Sequence, residues 1–247
     1  MSKENAVVDT SYKSTQAYLQ LRDELAEFEK KDWRDCSWSE ELIGKYKQFY
    51  SYPVFSKIQM PTEFIGLSFY NFKTQGKREM EIVVEIMEAK PWQWYMLIGK
   101  PGIGKTHLAI ACMVKSIGES KKPDGKYDTA QNIFLRFKEN KDLERRLIAD
   151  YSSFAVLVID ECEMEKITAW SDDSVKGYFQ EIIHNRDIAK KQTIVIGNNK
   201  DEVLKLLGKN GESRFDGGGE ILELVSDAWK DYRPKIKKEA NTADTPV

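Results

Sequence analysis

Gly99, Gly104, Lys105 and Thr106 stand in the spacing G-x-x-x-x-G-K-[ST], within the stretch WYMLIGKPGIGKTHLAIAC. That spacing does phosphate chemistry. Glycines let the backbone curl so that its N–H groups face an oxyanion, and the start of the following helix adds its positive end. The segment Gly99, Lys100, Pro101, Gly102, Ile103, Gly104, Lys105, Thr106 and His107 is the expected nucleotide cradle. Lys105 is placed to reach the β- and γ-phosphates, and Thr106 to ligate Mg²⁺. The motif follows an apolar run and opens a helical pattern, as the mechanism requires.

A second chemical feature ends another apolar run. In AVLVIDE, Asp160 and Glu161 follow five apolar residues, and carboxylates at the end of a buried strand are costly unless they serve something. Asp160 fits the acid that holds Mg²⁺ beside Thr106; Glu161 fits the base that orients and deprotonates the attacking water. TIVIGN ends in Asn198, whose amide is suited to hold that water and sense the γ-phosphate. Arg214, in the Gly-rich stretch GESRFDGGGE expected as a loop, is a candidate finger toward the ATP of a neighbouring copy.

A GTP-binding switch is the rival reading. Asn199-Lys200-Asp201-Glu202 approaches the guanine-reading N-K-x-D pattern but has Glu at its last position, and no Asp-x-x-Gly follows Asp160. Asn199 equally serves as the cap of a helix beginning DEVLKLLG, with Glu202 at the third position of a capping box. The cap is the expectation.

These residues need a scaffold. Short apolar runs at 94–99, 133–137, 155–160, 193–198 and 221–225 alternate with helical stretches, which points to a five-stranded, mostly parallel α/β sheet flanked by helices. Ahead of it, Tyr18, Leu21, Leu25 and Phe28, then Leu42, Ile43, Tyr46, Phe49 and Tyr50, recur at helical spacing. SYPVFSKIQMPTEF breaks that pattern with two prolines and is expected as a linker. The divisions expected are a helical, partner-binding region over 1–60, a nucleotide-binding domain over 61–235, and a disordered tail over 236–247.

Composition bounds the rest. The 247 residues are 41% hydrophobic and 32% charged, with net charge −2, which disfavours a surface that grips nucleic acid everywhere. Cys36, Cys112 and Cys162 are odd in number and lack a CxxC pair, which argues against a disulfide framework or zinc site. Without a membrane-length apolar run or a signal-peptide core, a cytoplasmic protein with no membrane partner is expected.

With these residues in view, the chain resembles the AAA+ ATPases of the DnaC/DnaI helicase-loader and IstB transposition-helper group. The likeness covers 64–233: SFYNF (68–72), GKPGIGKTHLA (99–109), LVIDE (157–161), IIHNRDIAKKQTIVIGN (182–198), LLG (206–208), SRF (213–215) and AWKDYR (228–233). Residue order and the closing Trp229, Tyr232 and Arg233 are most similar to the DnaC branch. The resemblance implies a P-loop AAA+ (ASCE) fold, ATP-dependent self-assembly, Asn198 as the sensor 1 residue and Arg214 as a finger acting in trans. It further implies a DnaB-type replicative helicase bound through residues 1–60 and placed on single-stranded DNA. In the IstB branch the same core organises target DNA for transposition.

Departures from the family accompany the likeness. Segment 138–153 is shorter than the loader-specific helical insertion, leaving Phe137, Lys138, Lys141, Arg145 and Arg146 as candidate contacts to single-stranded DNA. Glu163 stands where a glycine is common. With 33 of the 247 residues following Arg214, no C-terminal helical lid is expected, and Arg233 is a weak candidate for sensor 2.

Overall fold

The structure, a computed structural model, describes residues 58–64, 67, 69, 72, 77–88, 90, 92–119, 124–163 and 173–224. The expected N-terminal helices, the start of the linker, and Trp229, Tyr232, Arg233 and the tail lie outside the described residues.

Strands β2 (Tyr95–Gly99), β4 (Val156–Asp160) and β5 (Gln192–Gly197) are buried along their whole length. Their side chains alternate between two cores. Tyr95 and Leu97, Val156 and Val158, and Ile194 and Ile196 face one cluster; Met96 and Ile98, Leu157 and Ile159, and Val195 face the other. Strands covered on both sides need helices on both sides. The first cluster is closed by α1 (Lys77–Met87) and α2 (Lys105–Glu119). The second is closed by α3 (Ala130–Glu139), α4 (Glu144–Ser153), α5 (Asp173–Ile188) and α6 (Lys200–Asp216). With β1 (Ile58–Gln59), β3 (Gly125–Thr129) and β6 (Glu220–Leu224), the sheet runs β1-β3-β4-β5-β2-β6, every pair parallel.

Two sequence expectations change. The run IFLRF at 133–137 is a helix, α3, and the strand lies just before it as Gly125–Thr129. Ile133, Phe134 and Phe137 share one face of α3 and pack into the second core, while Thr129 Oγ1 caps the helix by accepting from Asn132 N–H. The strand was hidden because Lys126 and Asp128 are charged yet buried. Asp128 accepts from Tyr151 Oη at 2.6 Å, and Lys126 donates to Gln59 Oε1 at 2.8 Å. Burial pulls the Lys126 ammonium below its ordinary range, with nearby Asp128 opposing the shift. The other change is a sixth strand. Gln59 lies in β1, which pairs with β3, so the sheet begins just ahead of the division expected at residue 60.

One buried charge holds the α4–α5 side together. Arg186 has no exposed surface. Its Nη1 donates to Tyr151 O at 2.9 Å and Phe154 O at 2.8 Å, its Nη2 to Gln192 O, and its Nε to Thr193 Oγ1 at 2.9 Å. Burial pulls its pKa down to about 9, so it stays protonated at neutral pH. Removing the guanidinium orphans several buried acceptors at once. Arg186→Met is expected to lower unfolding stability by about 3 kcal/mol in a urea titration; a loss below about 1 kcal/mol would show that these bonds carry little net stability.

Candidate nucleotide site

The phosphate loop sits where β2 gives way to α2. Residues 101–104 turn and the helix starts at Lys105. Gly104 has φ +93°, and a Cβ there would come within 2.5 Å of the Phe72 ring. Phe72 is buried beneath the loop and stands edge-on to His107, with ring centroids 5.2 Å apart. Phe72, the last residue of SFYNF, thus contributes a floor under the cradle, which its position in the sequence did not disclose.

Because β5 lies between β2 and β4 in the sheet, the ends of these three strands form one edge. Lys105 Nζ donates to Gly99 O at 2.6 Å, to Lys100 O at 2.9 Å and to Asn198 Oδ1 at 3.0 Å. Thr106 Oγ1 donates to Asp160 Oδ2 at 2.7 Å. Lys105 and Thr106 of α2, Asp160 at the end of β4 and Asn198 just past β5 therefore meet across three elements. Glu161 follows Asp160 on the exposed rim, with its backbone at φ +55°.

The donor set fits Mg²⁺. A hydroxyl and a largely buried carboxylate, hard oxygens held within 2.7 Å of each other, suit a hard cation that also takes phosphate oxygens. Thr106 and Asp160 would hold it there.

Sequence reasoning missed Tyr127. From β3 its phenol donates to the same Asp160 Oδ2 at 3.0 Å. Burial, then the negative charge of Asp160, raises its pKa, so it remains a donor. Its signal was weak, since an aromatic residue in a charged strand names no partner. Cys162 is buried, which pushes its thiol up and leaves it inert.

Arg214 is not in a loop. It occupies the last turn of α6, and the glycines from Gly217 onward follow the helix. Its Nη2 donates to Trp92 O at 3.3 Å, its Nε lies 3.4 Å from Asp187 Oδ1, and its guanidinium lies over Trp94. Those partners flank the starts of β2 and β5, at the opposite end of the sheet from Gly99. Asn199 caps α6 as expected, its Oδ1 accepting from the N–H groups of Asp201 and Glu202 at 2.9 and 3.1 Å.

The expected DNA contacts divide. Phe137 is 1% exposed and stacks near Tyr178 inside the core, so it has no face for a base. Lys138, Arg145 and Arg146 are exposed on α3 and α4, and Arg146 pairs with Asp150 at 3.9 Å. Lys141 opens the 3-10 turn between those helices.

A parallel sheet with this loop, this acid and this order defines a P-loop nucleotide-binding protein of the AAA+ class. The chain belongs to the IstB-like ATP binding protein family, whose pattern matches residues 39–202. It is 26% identical over 212 residues to the replicative helicase loader DnaC of Buchnera aphidicola subsp. Baizongia pistaciae, a match spanning 80% of this chain and 82% of that one. To the DnaC of Escherichia coli K12 it is 28% identical over 145 residues, 58% of this chain and 57% of the relative. In fold it is similar to a crystal structure of the DnaC helicase loader, with TM-score 0.55 and 22% identity, covering 67% of this chain and all of that one. Among the described residues no helix is long and apolar enough to cross a membrane.

Lys105→Ala removes the cation from the cradle. Its ATP affinity, measured by calorimetry, is expected to fall about 100-fold; unchanged affinity would mean that the loop does not hold the phosphates.

Proposed function

We propose that this chain is an ATP-dependent replicative helicase loader of the DnaC type. It binds a DnaB-type hexameric helicase through residues 1–60 and helps place it on single-stranded DNA in the cytoplasm. The observation that carries the ATPase part is the convergence of Lys105, Thr106, Asp160 and Asn198 on one sheet edge. The loader part rests on the DnaC relative matched over 80% of this chain.

In this reading Lys105 and the loop N–H groups bind the β- and γ-phosphates of ATP. Mg²⁺ held by Thr106 and Asp160 would supply charge neutralisation on those phosphates. Glu161 takes the proton of the attacking water, and Asn198 fixes that water against the γ-phosphate. Arg214 lies at the far end of the sheet, and a five-residue strand spans roughly 15 Å, too far for it to reach its own ATP; in this reading it serves a second copy's. Turnover then requires assembly and is slow in the isolated chain. Exposed Lys138, Arg145 and Arg146 are the DNA contacts that fit best.

The match to the IstB-like family supports a second reading, a transposition ATPase acting on duplex target DNA. A GTP-binding switch has less support, since Asn199 is occupied in capping α6.

Glu161→Gln is expected to keep ATP affinity within about threefold while hydrolysis falls at least about 100-fold. Full turnover in that variant would remove Glu161 from the mechanism. Size-exclusion chromatography of the full chain separates the two DNA roles. Co-elution with a purified hexameric replicative helicase, lost when residues 1–57 are deleted, is expected. ATP-dependent filaments on duplex DNA without helicase binding would favour the transposition reading.

A further inference from the structure

Just past Asp160 the chain makes a turn whose backbone is costly. Glu161 has φ +55°, a conformation that side-chain-bearing residues keep only when their surroundings impose it. Two bonds to the end of β5 impose it here. Cys162 N–H donates to Ile196 O at 2.9 Å, and Glu163 Oε1 accepts from Asn198 N–H at 2.7 Å. The first is a backbone bond that any residue at 162 could make. The second depends on one side chain.

Glu163 is also in the wrong place for an ordinary surface acid. It is 7% exposed, although it lies beyond the strand, and a Cβ added at Gly197 would stand 3.8 Å from its carboxylate. A carboxylate buried this far is retained at a cost unless it makes charge-assisted bonds. Its bond falls on the residue whose side chain reaches Lys105, because Asn198 Oδ1 accepts from Lys105 Nζ at 3.0 Å. A continuous path therefore runs from the candidate base Glu161, through Glu163 to the Asn198 backbone, and through the Asn198 amide to the phosphate-loop lysine.

We propose that Glu163 is a positioning residue: its carboxylate pins the Asn198 backbone to the 161–163 turn and so sets the Asn198 amide and the Glu161 carboxylate in register on one water. With the N–H of Asn198 fixed, its amide turns only about its own side-chain torsions, between Lys105 and the Glu161 rim. Without the pin, the end of β5 and the turn after β4 move independently, and the near-attack geometry for water is lost while the phosphate cradle stays intact. This inference rests on the ATPase reading of Lys105, Asp160, Glu161 and Asn198. It makes a distinct demand: Glu163 acts on turnover and not on nucleotide affinity.

The test compares Glu163→Ala and Glu163→Gln in the full chain; Gln keeps an acceptor oxygen for Asn198 N–H without the charge. Three readouts are taken: affinity for a fluorescent ATP analogue, single-turnover hydrolysis, and hydrogen exchange of the Asn198 amide. Glu163→Ala is expected to bind the analogue within about threefold of the parent and to hydrolyse about 30-fold more slowly, with a faster-exchanging Asn198 amide. Glu163→Gln is expected to recover most of the lost rate and the protection. Parent-like hydrolysis in Glu163→Ala, or an equal loss of affinity and rate, would overturn the proposal. If Glu163→Ala does not fold, Glu163→Gln decides: a protected amide with a rate within about fivefold of the parent supports it, and a protected amide with the rate lost overturns it. A parent chain that hydrolyses no ATP would sink the ATPase reading itself. The pin would still be judged by Asn198 exchange, slow in the parent and fast in Glu163→Ala if it exists.

Discussion

Asp160 Oδ2 is the atom on which the site depends. It accepts from Thr106 at the start of α2 and from Tyr127 on β3, so one carboxylate ties the strand that carries it to the elements on both sides. A carboxylate this buried is tolerated because its bonds are made. Those bonds fix the distance between the phosphate loop and the acid, and a productive site needs such groups held within about 0.5 Å. The parallel sheet supplies the coarse placement. Setting β5 between β2 and β4 brings Asn198 to the gap between the loop and the acid.

Much of this was legible in the sequence, for a physical reason. Strands buried on both faces read as near-continuous apolar runs, so β2, β4 and the IVI of β5 stood out, and the polar residues ending them stood out against that background. The Asn199 cap was legible because the pattern is local, with donor and acceptor within three residues. The phosphate loop was legible because its spacing is set by the size of a phosphate and not by the rest of the fold.

What was hidden depends on contacts between distant residues. Strand β3 contains Lys126 and Asp128, and those charges are buried because Gln59, Tyr151 and each other's charge satisfy them. No local pattern announces this. The run 133–137 shows the opposite failure: five residues rich in apolar types fit a strand or one face of a short helix equally well, and the Thr129 cap decided for the helix. Arg214 was misplaced because the glycines beside it suggested a loop, whereas they follow the end of α6.

If Arg214 serves a neighbouring copy's ATP, as proposed, one chain carries halves of two different sites. The phosphate loop and Asp160 lie at one end of the sheet, and Arg214 lies at the other, held by Asp187 and Trp92. Mixing two inactive variants tests this most directly. Lys105→Ala lacks the cradle lysine, Arg214→Ala lacks the proposed finger, and each alone is expected to hydrolyse little ATP. Mixed in equal amounts, they pair an intact cradle with an intact Arg214 at some interfaces, and hydrolysis is expected to reappear. A mixture no more active than its components, or an Arg214→Ala chain that hydrolyses like the parent, would contradict it.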